Sequence, residues 1–199
     1  MLLKKQSLGW ILVVFLSLSP LIPWLLVVQP SERLTNFNTI FISIGELLGL
    51  FGTVMYCLSI VLSLRLKLFE DFFGGMNRVY IAHHLFGGIA FILVLLHPLA
   101  LAASLIPYSL KSAALYLLPG NDWTINMGIA ALLLTMGLLI LTFFVRLPYE
   151  IWRLSHKFLG FVLFLGIVHG FFVTSDISRH PLMAWFMSIF FVVGLGSYL

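Results

Sequence analysis

The sequence predicts an all-α integral membrane protein, folded as a six-transmembrane-helix bundle with both termini cytoplasmic. Its 199 residues are 61% hydrophobic and 9% charged, and the mean hydropathy is +1.12. Soluble domains carry about 25% charged residues, so a chain this poor in charge could not cover itself with a wetted surface. Lipid cannot satisfy backbone polar groups, which leaves helices as the expected spanning element. Six apolar runs supply those helices, at 8–28, 39–63, 78–106, 124–145, 154–174 and 182–199.

Each run has the length of a membrane span, which needs about 20 mostly apolar residues. The first run follows a basic start, MLLKK, and has no obvious small-residue cleavage site, so we interpret it as a retained span that inserts like a signal sequence. The third run is the longest and should tilt or project beyond the hydrocarbon. Short polar or turn-rich segments separate the runs, so residues 1–199 are predicted to form a single transmembrane domain in the cell membrane.

The basic residues set the predicted orientation. With the N-terminus in the cytoplasm, three of the 11 Lys and Arg residues lie outside, namely Arg33, Lys111 and Arg179. The remaining eight lie inside, and an excess of Lys and Arg on the cytoplasmic side is the usual pattern. Both termini are therefore predicted to be cytoplasmic. The inner set comprises Lys4, Lys5, Arg65, Lys67, Arg78, Arg146, Arg153 and Lys157.

Cysteine usage and net charge exclude several other classes of protein. The single cysteine, Cys57, lies inside an apolar run, so there is no disulfide framework and no Cys-x-x-Cys motif. The net charge of +4 comes from residues in short loops and reflects membrane topology. We therefore expect no nucleic-acid partner, and we expect the outer surface of the bundle to contact membrane lipid.

Four of the six histidines form a repeated pattern on the third and fifth runs, which both point from inside to outside. His83 and His97 are 14 residues apart, and His156 and His169 are 13 apart. At 1.5 Å per residue, each separation is roughly 20 Å along a helix, which suits one site near each membrane face. His83 is predicted to face His156 near the inside, and His97 to face His169 near the outside. Opposed neutral imidazoles of this kind ligate a haem iron on both faces.

The helical register tests this pairing. At 100° per residue, His97 lies within 40° of the face of His83, whereas His84 leaves a larger offset. On the fifth helix, His169 lies about 140° from His156. Either that helix departs from regular geometry, or His156 lies at its frayed start. A glycine follows each inner histidine by four residues, Gly87 and Gly160, and is expected to allow close approach of a flat macrocycle.

Other interpretations of the histidines and of the basic residues near them stay open. A single intramembrane histidine is often a packing residue or a proton relay, and a proton pathway would also need carboxylates, of which only Glu46 lies in a run. Arg78, Arg153 and Lys157 lie near the inner histidines and could pair with the propionates of an inner haem. Ordinary membrane topology explains the same three residues equally well.

The segments FEDFFGGMNRVYIAHHLFGGIAFILVLLHP and RLPYEIWRLSHKFLGFVLFLGIVHG resemble the ferric-reductase-type transmembrane domain shared by ferric reductases and NADPH oxidases, and are most similar to bacterial NADPH oxidases. The resemblance covers essentially the whole chain. It implies six helices and two haem b groups, with His83, His97, His156 and His169 as the axial ligands of the haem irons.

The resemblance also implies a function and its partners. In this family a cytoplasmic dehydrogenase with FAD and NADPH feeds the inner haem. An acceptor outside, dioxygen giving superoxide or ferric iron, takes the electrons. No Gly-x-Gly-x-x-Gly opens a strand–helix unit here, so the flavin dehydrogenase module is expected to be absent from this chain. The alternative is a non-enzymatic membrane cytochrome b subunit that passes electrons to or from a separate reductase.

Overall fold

A computed structural model describes residues 7–199 of the protein, and in this range the structure is helical with no strand. The predicted all-α, six-helix bundle is confirmed, because six helices are long and apolar enough to cross a membrane, and the orientation of the termini stays a prediction. Lys4 and Lys5, which contributed to the predicted orientation, lie outside the described residues. The six helices are α1 (Leu8–Val27), α2 (Phe37–Leu62), α3 (Met76–Ser104), α4 (Trp123–Phe143), α5 (Tyr149–Phe172) and α6 (Pro181–Tyr198).

The fifth helix differs most from the predicted boundaries. Helix α5 begins at Tyr149, directly after Pro148, although the sequence up to Arg153 was expected to be a loop. Proline has a fixed φ that suits the start of a helix, and an acidic residue such as Glu150 stabilises the positive end of the helix dipole in the first turn. As a result, His156 lies about two turns inside the helix rather than at its end.

The helices pack as two antiparallel pairs. Helix α3 packs along α2, α5 packs along α4, and α6 packs against α2. The two helices that carry the paired histidines, α3 and α5, hardly contact each other directly. A cleft therefore separates the two pairs, and the Tyr56 hydroxyl of α2 crosses it to donate a 2.8 Å hydrogen bond to the main-chain oxygen of Leu159.

Large apolar side chains cover the outside of the bundle. Residues such as Phe15, Leu26 and Trp185 are 62%, 70% and 75% exposed. An apolar surface of this extent is stable against lipid and not against water. The protein is a multi-pass integral membrane protein.

Candidate functional site: two histidine pairs

Two pairs of histidines face each other across the cleft between α3 and α5. The ring centroids of His83 and His156 are 6.1 Å apart, with the ring planes at 70°. Those of His97 and His169 are 6.4 Å apart, with the planes at 71°. The structure thus brings together the residues that the spacing had paired, at two depths with nearly the same geometry.

Three of the four imidazoles are oriented by a carbonyl of a neighbouring helix. The Nδ1–H of His97 donates to the main-chain oxygen of Gly45 at 2.7 Å, and that of His169 donates to the main-chain oxygen of Thr124 at 2.8 Å. His83 donates in the same way to Ser59, at 2.8 Å. A carbonyl at Nδ1 fixes the tautomer, so that Nε2 carries the lone pair and can bind a metal.

Glycines make room for the imidazoles of His97 and His169, the pair that is predicted to lie near the outside and is called the outer pair below. A Cβ atom at Gly49 would lie 2.8 Å from the Nδ1 of His97, and one at Gly128 would lie 2.8 Å from the Nδ1 of His169. Each glycine is four residues after the residue whose carbonyl accepts the hydrogen bond, Gly45 or Thr124. Helices α2 and α4 therefore hold His97 and His169 in the same way, with a main-chain carbonyl as acceptor and a glycine one turn further on.

Gly87 and Gly160, which were expected to admit a macrocycle, contact neighbouring helices instead. Gly87 lies against the Ser59 side chain of α2, and Gly160 lies against the Tyr198 ring of α6. The expectation that they admit a macrocycle was wrong, because both face neighbouring helices and serve helix packing. Gly45-x-x-x-Gly49 has the spacing of a helix-packing motif, and in the structure the His97 ring packs against Gly49.

His156 is held differently from the other three histidines. Helix α5 is regular throughout and His156 is well inside it, so neither explanation offered for the 140° register offset is correct. His156 reaches the pair from a different side of its helix, and its buried Nδ1 has no hydrogen-bond partner within residues 7–199. The Trp152 ring lies parallel to the imidazole instead, with centroids 5.5 Å apart and an angle of 5° between the planes.

A cavity of about 350 Å³ lies beside the outer pair. Its walls include His97 and His169 together with their glycines, Gly49 and Gly128. The remaining wall is mostly apolar, from side chains of α2 to α6, with a few polar groups such as Glu46. The site therefore combines two imidazoles with a low-dielectric space between the helices.

The remaining histidines and basic residues do not face a partner across the cleft, although the His84 ring contacts His83 on the same helix, with centroids 5.4 Å apart and planes at 85°. His84 is exposed, and its Nδ1–H donates to the main-chain oxygen of Tyr80 on its own helix. His180 is partly buried, with its Nε2 3.9 Å from the Asp176 carboxylate. Arg153 forms an exposed ion pair with Glu150 at 2.8 Å. The side chains of Arg78 and Lys157 are also exposed at the inner end, and their pairing with propionates stays a prediction.

Sequence reasoning missed a buried ion cluster near the outer pair. Arg33, assigned to an outer loop, is only 6% exposed. Its guanidinium contacts Glu46 of α2 at 2.9 Å and Asp176, between α5 and α6, at 2.5 Å. The same group lies 3.9 Å from the Trp24 ring centroid. Glu46, the carboxylate that a proton pathway would have used, is thus the partner of an arginine.

Replacing Arg33 by Leu should destabilise the protein strongly. It would leave the Glu46 and Asp176 carboxylates buried without a counter-charge, and removal of one partner from a buried ion pair costs about 3–5 kcal/mol. Replacing Glu150 by Gln is the matched control, because its ion pair with Arg153 is exposed and such pairs contribute about 0–1 kcal/mol. Thermal unfolding in detergent should show a large loss of melting temperature for Arg33→Leu alone. Equal loss in both variants would contradict a structural role for the cluster.

Comparison with known protein families agrees with this architecture. Residues 48–167 match the model of the ferric reductase like transmembrane component. The chain belongs to this family. The matched range includes Gly49, His97, His83 and His156, and it ends two residues before His169. No curated protein matches the chain. Membership of the ferric-reductase-like family indicates oxidoreductase activity by transmembrane electron transfer.

Proposed function

We propose that this ferric-reductase-like domain carries electrons across the membrane through two haem b groups, one at each histidine pair. The observation that carries the proposal is the matched geometry of the two pairs across the cleft, 6.1 and 6.4 Å between ring centroids. A metal-bound imidazole nitrogen lies about 2 Å from the metal, so two imidazoles on opposite sides of one iron have centroids roughly 6 Å apart.

The composition of the sites favours haem over other metal centres. Within residues 7–199, no group of three or more His, Cys, Asp or Glu side chains comes together to hold a metal. Each pair offers only two nitrogen ligands, which suffice when a macrocycle supplies the others. Gly49 and Gly128 leave space for the two imidazole rings of the outer pair. The carbonyl partners of Nδ1 also fit metal ligands, because metal-bound histidines usually donate their other N–H to a carbonyl or carboxylate.

Each residue then has a defined task. His83 and His156 would hold the inner iron, and His97 and His169 the outer iron. The carbonyls of Ser59, Gly45 and Thr124 keep three of these rings in the ligating tautomer. The apolar helix faces around the cleft exclude water. Haem supplies a one-electron carrier at each depth when it is bound, and Arg78, Arg153 and Lys157 would pair with the inner propionates.

The direction of transfer follows from the proposed orientation. Both termini and most basic residues lie in the cytoplasm in this proposal, so a flavin dehydrogenase carrying FAD and oxidising NADPH would donate at the inner pair. The acceptor would be dioxygen, giving superoxide, or ferric iron at the outer pair. A protein of this kind works as an NADPH oxidase or ferric reductase once it is joined to its donor.

Electron transfer can be tested without the natural donor. Haem-loaded protein would be reconstituted in liposomes that contain ferricyanide, and dithionite would be added outside. We expect ferricyanide inside to be reduced in proportion to haem content. Liposomes with the haem-free protein serve as the control. If the internal ferricyanide remains oxidised while the haem absorbance is fully reduced, the proposed conduit is incorrect.

Replacement of Gly128 by Ala should disturb the outer site. The new Cβ would lie 2.8 Å from the Nδ1 of His169 and displace the imidazole from its carbonyl partner. We expect loss or a changed spectrum of one haem, measured by reduced-minus-oxidised absorbance. Gly137→Ala is the matched control on the same helix, since a Cβ there meets nothing within 4 Å. Identical spectra for the two variants would argue against the assignment of His169 as a ligand.

A further inference from the structure

The four paired histidines are not held equally. His83, His97 and His169 each donate Nδ1–H to a main-chain carbonyl. The Nδ1 of His156 is buried and has no hydrogen-bond partner in the described part of the chain. A buried polar atom without a partner is costly, and a ring without a hydrogen bond has no fixed orientation unless something else supplies one.

The Trp152 ring constrains the orientation of the His156 imidazole. Trp152 and His156 are four residues apart on α5, so their side chains lie on the same face of the helix. Their planes differ by only 5° at a centroid distance of 5.5 Å. Tyr149 stacks in turn on Trp152, at 6.0 Å and 24°, so three rings form a column from the start of α5 to His156.

We propose that Trp152 is a positioning residue for the inner site. Its ring orients the His156 imidazole, as a main-chain carbonyl orients each of the other three histidines. The inference rests on the proposed function, because it takes His156 to be an iron ligand. A hydrogen bond from Nδ1–H orients the ring and also raises its basicity, whereas stacking only orients it. His156 is therefore the most weakly held of the four ligands, and an added ligand should displace a histidine at the inner site first.

Carbon monoxide is the probe, added to dithionite-reduced protein in lipid. Replacement of Trp152 by Leu keeps bulk but removes the ring face. We expect it to raise the carbon monoxide affinity of half of the haem by roughly three- to tenfold, the range expected for the loss of one aromatic stack. Trp152→Phe retains a ring and should behave like the wild type. Trp185→Leu is the matched control, because that indole lies 75% exposed on α6, away from both pairs.

Two backgrounds assign the effect to one site. In the His97→Ala background only the inner haem should remain, and Trp152→Leu should still raise the carbon monoxide affinity. In the His83→Ala background only the outer haem should remain, and Trp152→Leu should leave the carbon monoxide affinity unchanged. Loss of one haem from Trp152→Leu, with both retained in Trp152→Phe, would support the same role. Equal carbon monoxide binding by the Leu and Phe variants, or an effect that persists in His83→Ala, would overturn the proposal. Fewer than two haems on the wild-type chain, measured before the titration, would instead contradict the proposed function.

Discussion

Replacement of His83 by Ala is expected to remove one of two haems, and replacement of His156 is expected to remove the same one. The reason is geometric, because the two rings face each other at 6.1 Å and each supplies one side of a single site. His97→Ala and His169→Ala should remove the other haem for the same reason. The haem-to-protein ratio should therefore fall from two to one in all four single variants.

Double variants separate the pairs. His83→Ala with His156→Ala should still retain one haem, since both changes act at one site. His83→Ala with His97→Ala should retain none. His84→Ala and His180→Ala serve as controls, because His84 is exposed and bonded to its own helix and His180 lies beside Asp176. Loss of a haem in His84→Ala with none lost in His83→Ala would contradict the pairing.

The 199-residue chain is expected to be reducible by dithionite yet inert to NADPH. Hydride transfer from NADPH needs a nucleotide site and a flavin, and nucleotide sites of this type are built on strand–helix units. Residues 7–199 contain only helices and turns. Stopped-flow absorbance should show no haem reduction by NADPH over minutes, and rapid reduction once a flavin dehydrogenase domain is supplied.

Proteoliposomes add the direction of transfer to this experiment. The dehydrogenase should act only from the face that carries Arg146, Arg153 and Lys157, and the reduced acceptor should collect on the other face. Protein inserted in the opposite orientation is the internal control, because it should be silent. NADPH oxidation by the chain alone, or product on the same side as the donor, would contradict this assignment of donor and faces.

The sequence was sufficient to predict the six spans and the separation of the two histidines on α3 and on α5, because both depend on distances along one helix. Span length and a rise of 1.5 Å per residue place His83 and His97 near opposite faces without any tertiary information. For α5, the 140° offset between His156 and His169 suggested an irregular helix or a frayed start, and the structure shows neither. The angle around the helix axis ignores how far a side chain reaches and how two helices cross.

The contacts that support the histidines could not be predicted, since they join helices that are distant in the sequence. The carbonyls of Gly45 and Thr124 lie 52 and 45 residues from the histidines that they orient. Arg33 and Asp176 are 143 residues apart, and only tertiary packing buries them together. The stacking of Trp152 on His156 could not be predicted either, because this part of the chain was expected to be a loop and not the start of α5.

The number of haems per chain tests the central claim most directly. Purified protein, saturated with haem during expression, would be assayed for haem by its pyridine complex and for protein by amino-acid analysis. Two histidine pairs predict a ratio of two, with both haems low-spin in the oxidised spectrum. A saturated ratio of one would contradict the two-site account, and a ratio of zero would contradict any assignment of these histidines to haem.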